Sequence, residues 1–273
     1  MKRTARLLVF ASLVVLLPYP LWAQVSAPNA IGVSAGHEHF RAVDLAAADR
    51  FWISLGGVHT FVGRRQIVKF PGVMVMVAQA TSEAPVTGGT EGSAIDMIGF
   101  RVKNLKQTLS TLAAAGYKPL ANSSAHRAYV MGPHQAKVQL LEDPSLSTPV
   151  ATDALVMKVP NPAEAAAWYA KWFGAKVVMR GNDTYAEIPG MDLRFEATKE
   201  PVTGTRGRAL DHMGLEVKNL EAFMKRLADG GVKIDRPFSP PPADVMPELK
   251  SLAFVSDPWG TAIELNEGFS EVK

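Results

Sequence analysis

Internal repetition constrains this chain more than any local propensity does, because self-similarity at a fixed period fixes topology. The stretch Ala80-Thr-Ser-Glu-Ala-Pro-Val-Thr-Gly-Gly-Thr, ahead of Ala94-Ile-Asp-Met-Ile-Gly, returns as Ala197-Thr-Lys-Glu-Pro-Val-Thr-Gly-Thr, ahead of Ala209-Leu-Asp-His-Met-Gly. A half-length unit has been duplicated, and each half divides again. Short strands rich in apolar and β-branched residues are predicted at 37–43, 95–102, 154–159 and 212–217. Helices follow at 45–55, 105–115, 163–172 and 220–229, their apolar residues at helical spacing, with stops at Gly56, Gly116, Gly174 and Gly230. Alternating segments at 66–70, 73–78, 128–131, 137–141, 184–188, 192–196, 252–255 and 262–265 read as further strands. The fold class is therefore α+β, as four βαβββ modules.

Residues 1–23 read as a secretory signal: a basic start with Lys2, Arg3 and Arg6, an apolar run from Leu7 to Leu17, and small residues at Ala23 and Ala27 as two cleavage points, of which Ala23 follows the apolar run directly. The apolar run is too short for a membrane span. Once it is removed the chain carries no stable membrane anchor, and export, most simply to a bacterial periplasm, is the expectation. The net charge of +3 is matched by the three basic residues of the leader, so the mature chain is near neutral and has no basic stripe for nucleic acid. There are no cysteines, which leaves histidine, carboxylate and neutral oxygen as the available metal ligands.

The repeat has a position that two units fill with imidazole and two do not. His37 lies seven residues before Asp44, and His212 seven before Asn219; the corresponding residues of the middle units are Met97 and Ala154. The last unit adds Glu264 on a later strand. A single histidine on an apolar strand is usually a hydrogen-bonded core residue, so the argument rests on the set, since converging groups identify a site.

Leu210-Asp-His-Met-Gly-Leu-Glu-Val-Lys-Asn-Leu, followed by Phe254-Val-Ser-Asp-Pro-Trp-Gly-Thr-Ala-Ile-Glu-Leu-Asn-Glu, resembles the vicinal oxygen chelate superfamily of glyoxalases, bleomycin-resistance proteins and extradiol dioxygenases. The first half is recognisable mainly through its likeness to the second. The resemblance implies two cup-shaped pseudo-barrels, with one half at 30–142 (modules one and two) and the other at 152–270 (modules three and four). Ligands then come from the first and last strand of each module: His37 and Met76, Met97 and Gln139, Ala154 and Arg194, His212 and Glu264. Pairing neighbouring modules scatters these groups. Facing module one with module four gathers His37, His212 and Glu264 in a single cup, two imidazoles and a carboxylate, a set suited to a divalent iron, manganese, zinc or nickel ion.

The implied function is a metal-dependent lyase, isomerase or dioxygenase acting on a small oxygen-chelating molecule, with Glu264 also the catalytic carboxylate. The alternative is a metal-free binding protein of the bleomycin-resistance kind. Neither reading involves nucleic acid as a partner, and a homodimer is compatible with both.

Other residues are given plainer roles. His39 shares a strand face with His37 and is expected at the surface or behind the ligands, and Glu267 on the opposite face of its strand from Glu264, in solvent. His59, His126 and His134 fall in or near turns. Phe51, Trp52, Trp168, Tyr169, Trp172 and Phe173 are assigned to helix-on-sheet packing. The proline-rich segment from Pro237 to Pro247 is expected to be irregular and near the cup, as a lid or connection.

Overall fold

A computed structural model describes residues 25–62, 65–241 and 249–269; the leader and part of the proline-rich segment, 242–248, lie outside the described residues. Unit one comprises β1 (Val33–Ala42), α1 (Leu45–Ser54), β2 (Val58–Val62), β3 (Arg65–Phe70) and β4 (Val73–Gln79). Unit two has β5 (Ile95–Val102), α2 (Leu105–Ala114), β6 (Arg127–Met131) and β7 (Lys137–Glu142). Unit three has β8 (Val150–Val159), α3 (Pro162–Phe173), β9 (Lys176–Arg180), β10 (Asp183–Ile188) and β11 (Met191–Ala197). Unit four has β12 (Leu210–Val217), α4 (Leu220–Asp229), β13 (Lys233–Ser239), β14 (Ser251–Ser256) and β15 (Ala262–Glu267).

The four helices start for one reason. Asp44, Asn104, Asn161 and Asn219 each cap a helix, the side-chain oxygen accepting a backbone N–H from the first turn. These are the residues that mark the register of the repeat, so the distance from the first strand of each unit to its helix is set by the cap. Left-handed glycines follow at Gly56, Gly116 and Gly174, as predicted. In unit four the left-handed residue is Gly231, one later than predicted. Gly230 is there for space: a Cβ on it would lie 2.0 Å from the Trp172 ring.

Unit two departs from the predicted tally. Where the other units have a strand after the helix, it has a single bridge between Pro119 and Val130, because a proline cannot donate to a ladder. The proline-rich segment departs in the other direction. Pro237 lies inside β13, which is the edge of its sheet, where a missing N–H is tolerated and the pairing with β14 is already irregular.

Among the described residues, fifteen strands form two sheets. The first has the order β13-β14-β15-β12-β1-β4-β3-β2, so it is built from units one and four; the second, β6-β7-β5-β8-β11-β10-β9, is built from units two and three. Each sheet is joined at its centre by an antiparallel pair from different halves of the chain, β1 with β12 and β5 with β8. Apolar side chains of all four helices and both sheets form one continuous core, which contains the aromatic residues assigned to packing; Phe51, Trp52, Phe70 and Phe100 meet there ring to ring. A smaller apolar cluster, Ile67, Met74, Met76, Leu249, Leu252 and Phe269, lies apart from it in the hollow of the first sheet.

Candidate metal centre

Strand alternation puts His37 and His39 on one face of β1, and the β1–β12 register pairs His37 with Gly214 and His39 with His212. On the far side of β12 the parallel strand β15 sets Glu264 beside Gly214. The two ends of the chain therefore contribute to one spot in the hollow of the first sheet. His37, His39, His212 and Glu264 each offer a ligand atom there, all within 4.8 Å of one another.

Two bulges aim these side chains. In β1 the register skips Gly36 between Ala35 and His37, and in β12 it skips Asp211 between His212 and Leu210. A bulge re-directs a strand locally, and here it allows Asp211 to reach its own neighbour: Asp211 Oδ1 lies 2.6 Å from His212 Nδ1. The other carboxylate oxygen of Asp211 accepts from Arg41 Nε at 2.7 Å and from the Gly207 backbone at 2.7 Å. Asp211 is thus a fixed orienting group for His212. Burial opposes its ionised form, but the contacts with His212, Gly207 and Arg41 prevail and hold its carboxyl well below the usual range.

His212 Nε2 faces Glu264 Oε2 at 2.8 Å. With Nδ1–H donated to Asp211, a neutral ring would turn a lone pair on a carboxylate. The pair is stable only when something positive lies between them: the second proton of an imidazolium, or a cation. Burial alone would lower the His212 pKa, yet the two carboxylates raise it. Glu264 is also held well below its ordinary value: burial would raise it, but His212 and His37 overcome that. Its other oxygen accepts from Asn266 Nδ2 at 2.7 Å.

His37 is fully buried, and among the described residues neither ring nitrogen has a hydrogen-bond partner. The nearest acceptor is Glu264 Oε2, 3.5 Å from Nε2. Burial lowers its pKa despite the attraction of Glu264, so the ring is neutral and carries an available lone pair. Room for the ring comes from Gly214, where a Cβ would lie 2.2 Å from Cε1 and Nδ1 of His37. Phe269 packs against it at 5.2 Å between centroids.

His39 differs from its predicted placement. It joins the cluster, its ring centroid 4.4 Å from that of His212, and it lines the cavity. Burial and the neighbouring imidazoles push its pKa well down, so it too is neutral. It lies beside Met76 in the β1–β4 register, and Met76 occupies on β4 the place that Glu264 occupies on β15. An imidazole from the adjacent strand thereby stands next to the position in unit one that corresponds to Glu264. Sequence reasoning had the relevant signal, the shared parity of positions 37 and 39, and gave it too little weight.

The remaining sequence-stated residues lie elsewhere. Glu267 is half-buried and accepts the Leu220 N–H at 3.0 Å, helping to cap α4 where solvent was expected. His126 pairs with Glu142, and His134 accepts the Val43 N–H. His59 lies on β2, 3.5 Å from Asp49. In the second sheet Gln139 reaches Tyr129 and Arg194 reaches Glu196, while the corresponding first-strand positions are the buried apolar Met97 and Ala154.

A cavity of about 240 Å³ opens onto the cluster, lined by His39, His212, Glu264, Met76, Leu252 and Phe254 among others. The donor set suits a divalent ion: neutral imidazoles and one ionised carboxylate, with buried nitrogen atoms that have no other partner.

Comparison with known proteins agrees with this architecture. Residues 152–265 match the family model of the glyoxalase/bleomycin resistance protein/dioxygenase superfamily. Glyoxalase I from Zea mays is similar in structure, with a TM-score of 0.67 at 13% identity over 88% of this chain and 94% of that one. A Bacillus subtilis protein described as a candidate dioxygenase aligns over 86% of both chains, at 11% identity and a TM-score of 0.59. No curated protein sequence matches. Residues 152–265 thus match the sequence model of the glyoxalase/bleomycin resistance protein/dioxygenase superfamily, and the fold over nearly all of the described length is similar to that of glyoxalase I.

Proposed function

We propose that this protein is an exported, metal-dependent enzyme of the superfamily, in which His37, His39, His212 and Glu264 hold one divalent ion and a small oxygen-bearing molecule binds in the cavity beside it. The observation that carries the reading is His37: a fully buried imidazole whose two nitrogens have no hydrogen-bond partner among the described residues, in a space that only a glycine at 214 leaves open. Burying a polar ring with no partner is unfavourable by a few kcal/mol, and a bound cation removes that penalty. The leader-like sequence of residues 1–23 supports export.

When bound, a divalent ion acts as a Lewis acid, polarising substrate oxygens. The chain supplies the rest. Asp211 fixes the tautomer of His212 through Nδ1, so that Nε2 points to the site. Asn266 holds one oxygen of Glu264 and so turns the other toward His212 and His37. Glu264 is the carboxylate placed to accept a proton from a molecule in the cavity, whose walls include the apolar Met76, Leu252 and Phe254.

Metal analysis tests the proposal. Protein purified without added metal, and the same protein reloaded after chelator treatment, should hold a divalent ion that His37→Ala, His212→Ala and Glu264→Ala do not retain. Wild type and all three variants holding equally little metal, while binding small dicarbonyls or catechols alike, would replace the enzyme reading with that of a metal-free binding protein.

A further inference from the structure

We infer that the cavity takes a small organic anion, its charged end bound between Arg65 and Arg236 and its apolar body against Met76, Leu252 and Phe254. The inference rests on the reading of this hollow as the substrate site and names the class of molecule that it accepts.

Both arginines line the same cavity as His39, His212 and Glu264. They arrive from different units: Arg65 opens β3 of unit one, and Arg236 lies on the edge strand β13 of unit four. Both are exposed at its opening. Their electrostatic situation separates them from the other cations nearby. Arg41 is bound to Asp211, and Arg206 to Asp235. Neither Arg65 nor Arg236 has an acidic partner among the described residues. The acid in the cavity wall, Glu264, is engaged by His212 and Asn266. Among the described residues, these two guanidinium groups at a largely apolar hollow leave positive charge without an acidic counterpart.

Guanidinium binds carboxylate or phosphonate through paired N–H donors, with more geometric selectivity than an ammonium. The lining between the arginines and the histidines includes Leu249, Leu252, Phe254 and Met76, which rules out a wholly polar ligand and favours an apolar body. An anion held at the opening presents its far end to the imidazole cluster. Unit one and unit four would each contribute one charge to the clamp, as they each contribute ligands to the centre.

Isothermal titration with 4-phenylbutanoate and its neutral amide tests this, on the purified protein and on chelator-treated protein, with metal content read on the same samples. The carboxylate should bind about 10-fold or more tightly than the amide, the ratio corresponding to one charge-assisted hydrogen bond. Arg65→Gln and Arg236→Gln should each reduce that preference and together remove it, with metal content unchanged. Arg180→Gln, whose partners Glu187 and Asp192 lie in the second sheet, should leave the preference intact. Equal binding of acid and amide, a preference that survives the double substitution, or no saturable binding of the acid would each overturn the inference. An arginine-dependent preference in a wild type that takes up no metal would sink the metal reading and leave this one standing. Metal-loaded protein with no preference would sink this one alone.

Discussion

Gly214 has a more specific task than backbone freedom, since the His37 ring occupies the volume where a side chain would begin. Gly214→Ala is expected to displace that ring, destabilising the fold by about 1–3 kcal/mol through overpacking and abolishing metal retention, as read by thermal unfolding and metal analysis. Asp211 acts one step back, through His212 Nδ1. Asp211→Asn should weaken metal affinity about 10- to 100-fold, the usual effect of losing an orienting partner, measured by competition with a chelator.

The same residues set a pH dependence. His37 and His39 have folded pKa values below the ordinary 6.5, so the folded state binds fewer protons than the unfolded chain and stability is lost as pH falls below that value. Glu264 and Asp211, both depressed, act in the same direction at lower pH. His212, which is raised, opposes them: its contribution is present below 6.5 and lost as pH rises through its folded value. The melting temperature of metal-free protein should therefore fall between about pH 7 and about pH 5, and His37→Gln should flatten that slope. At this scale the sequence made His37, His212 and Glu264 legible as candidates through their places in the repeat. Asp211 was hidden because strand parity puts neighbours on opposite faces, and only a bulge lets it reach His212. His39 had the correct parity but no counterpart in unit four, where Gly214 stands.

Among the elements, the repeated cap residue explains why helix positions were readable within a residue or two. A side-chain oxygen at the N-cap and an apolar strand before it are local signals, and Asp44, Asn104, Asn161 and Asn219 all carry them. Elements that depend on partners were less legible. The strand missing from unit two and the proline inside β13 are decided by which neighbour offers a ladder, and a sequence read along its own length does not display that. One contact ties a helix of unit three to unit four: the Tyr169 hydroxyl of α3 donates to Asp257 Oδ2 at 2.9 Å, both residues buried. Asp257 also accepts from the backbones of Trp259 and Thr261, holding the turn that leads into β15. Tyr169→Phe should lower stability by about 1–3 kcal/mol, because a buried carboxylate loses a donor, as measured by chemical denaturation.

The whole molecule is organised by a crossing of its two halves. Duplication supplied four similar units, yet hydrogen bonding joins the outer two in one sheet and the inner two in the other. The consequence is a site assembled from residues 175 positions apart in the chain, His37 and His212. The fold class and the two-cup architecture could be read from the repeat and the family resemblance, since periodicity records what each unit is. Shape and charge in the hollow, including the two arginines at its opening, come from tertiary structure and left no pattern in the sequence. Because a bound ion would join unit one to unit four, saturating metal at about 100 times its dissociation constant should stabilise the protein by about 3 kcal/mol. That gain should vanish in His212→Ala.

Anomalous diffraction from crystals loaded with a divalent transition metal, collected at its absorption edge, tests most directly whether both ends of the chain grip one cation. The account predicts one strong peak at bonding distance, about 2.0–2.2 Å, from nitrogen atoms of His37 and His212 and an oxygen of Glu264. Full metal loading with no peak there, or with a peak that touches residues of only one unit, would contradict it.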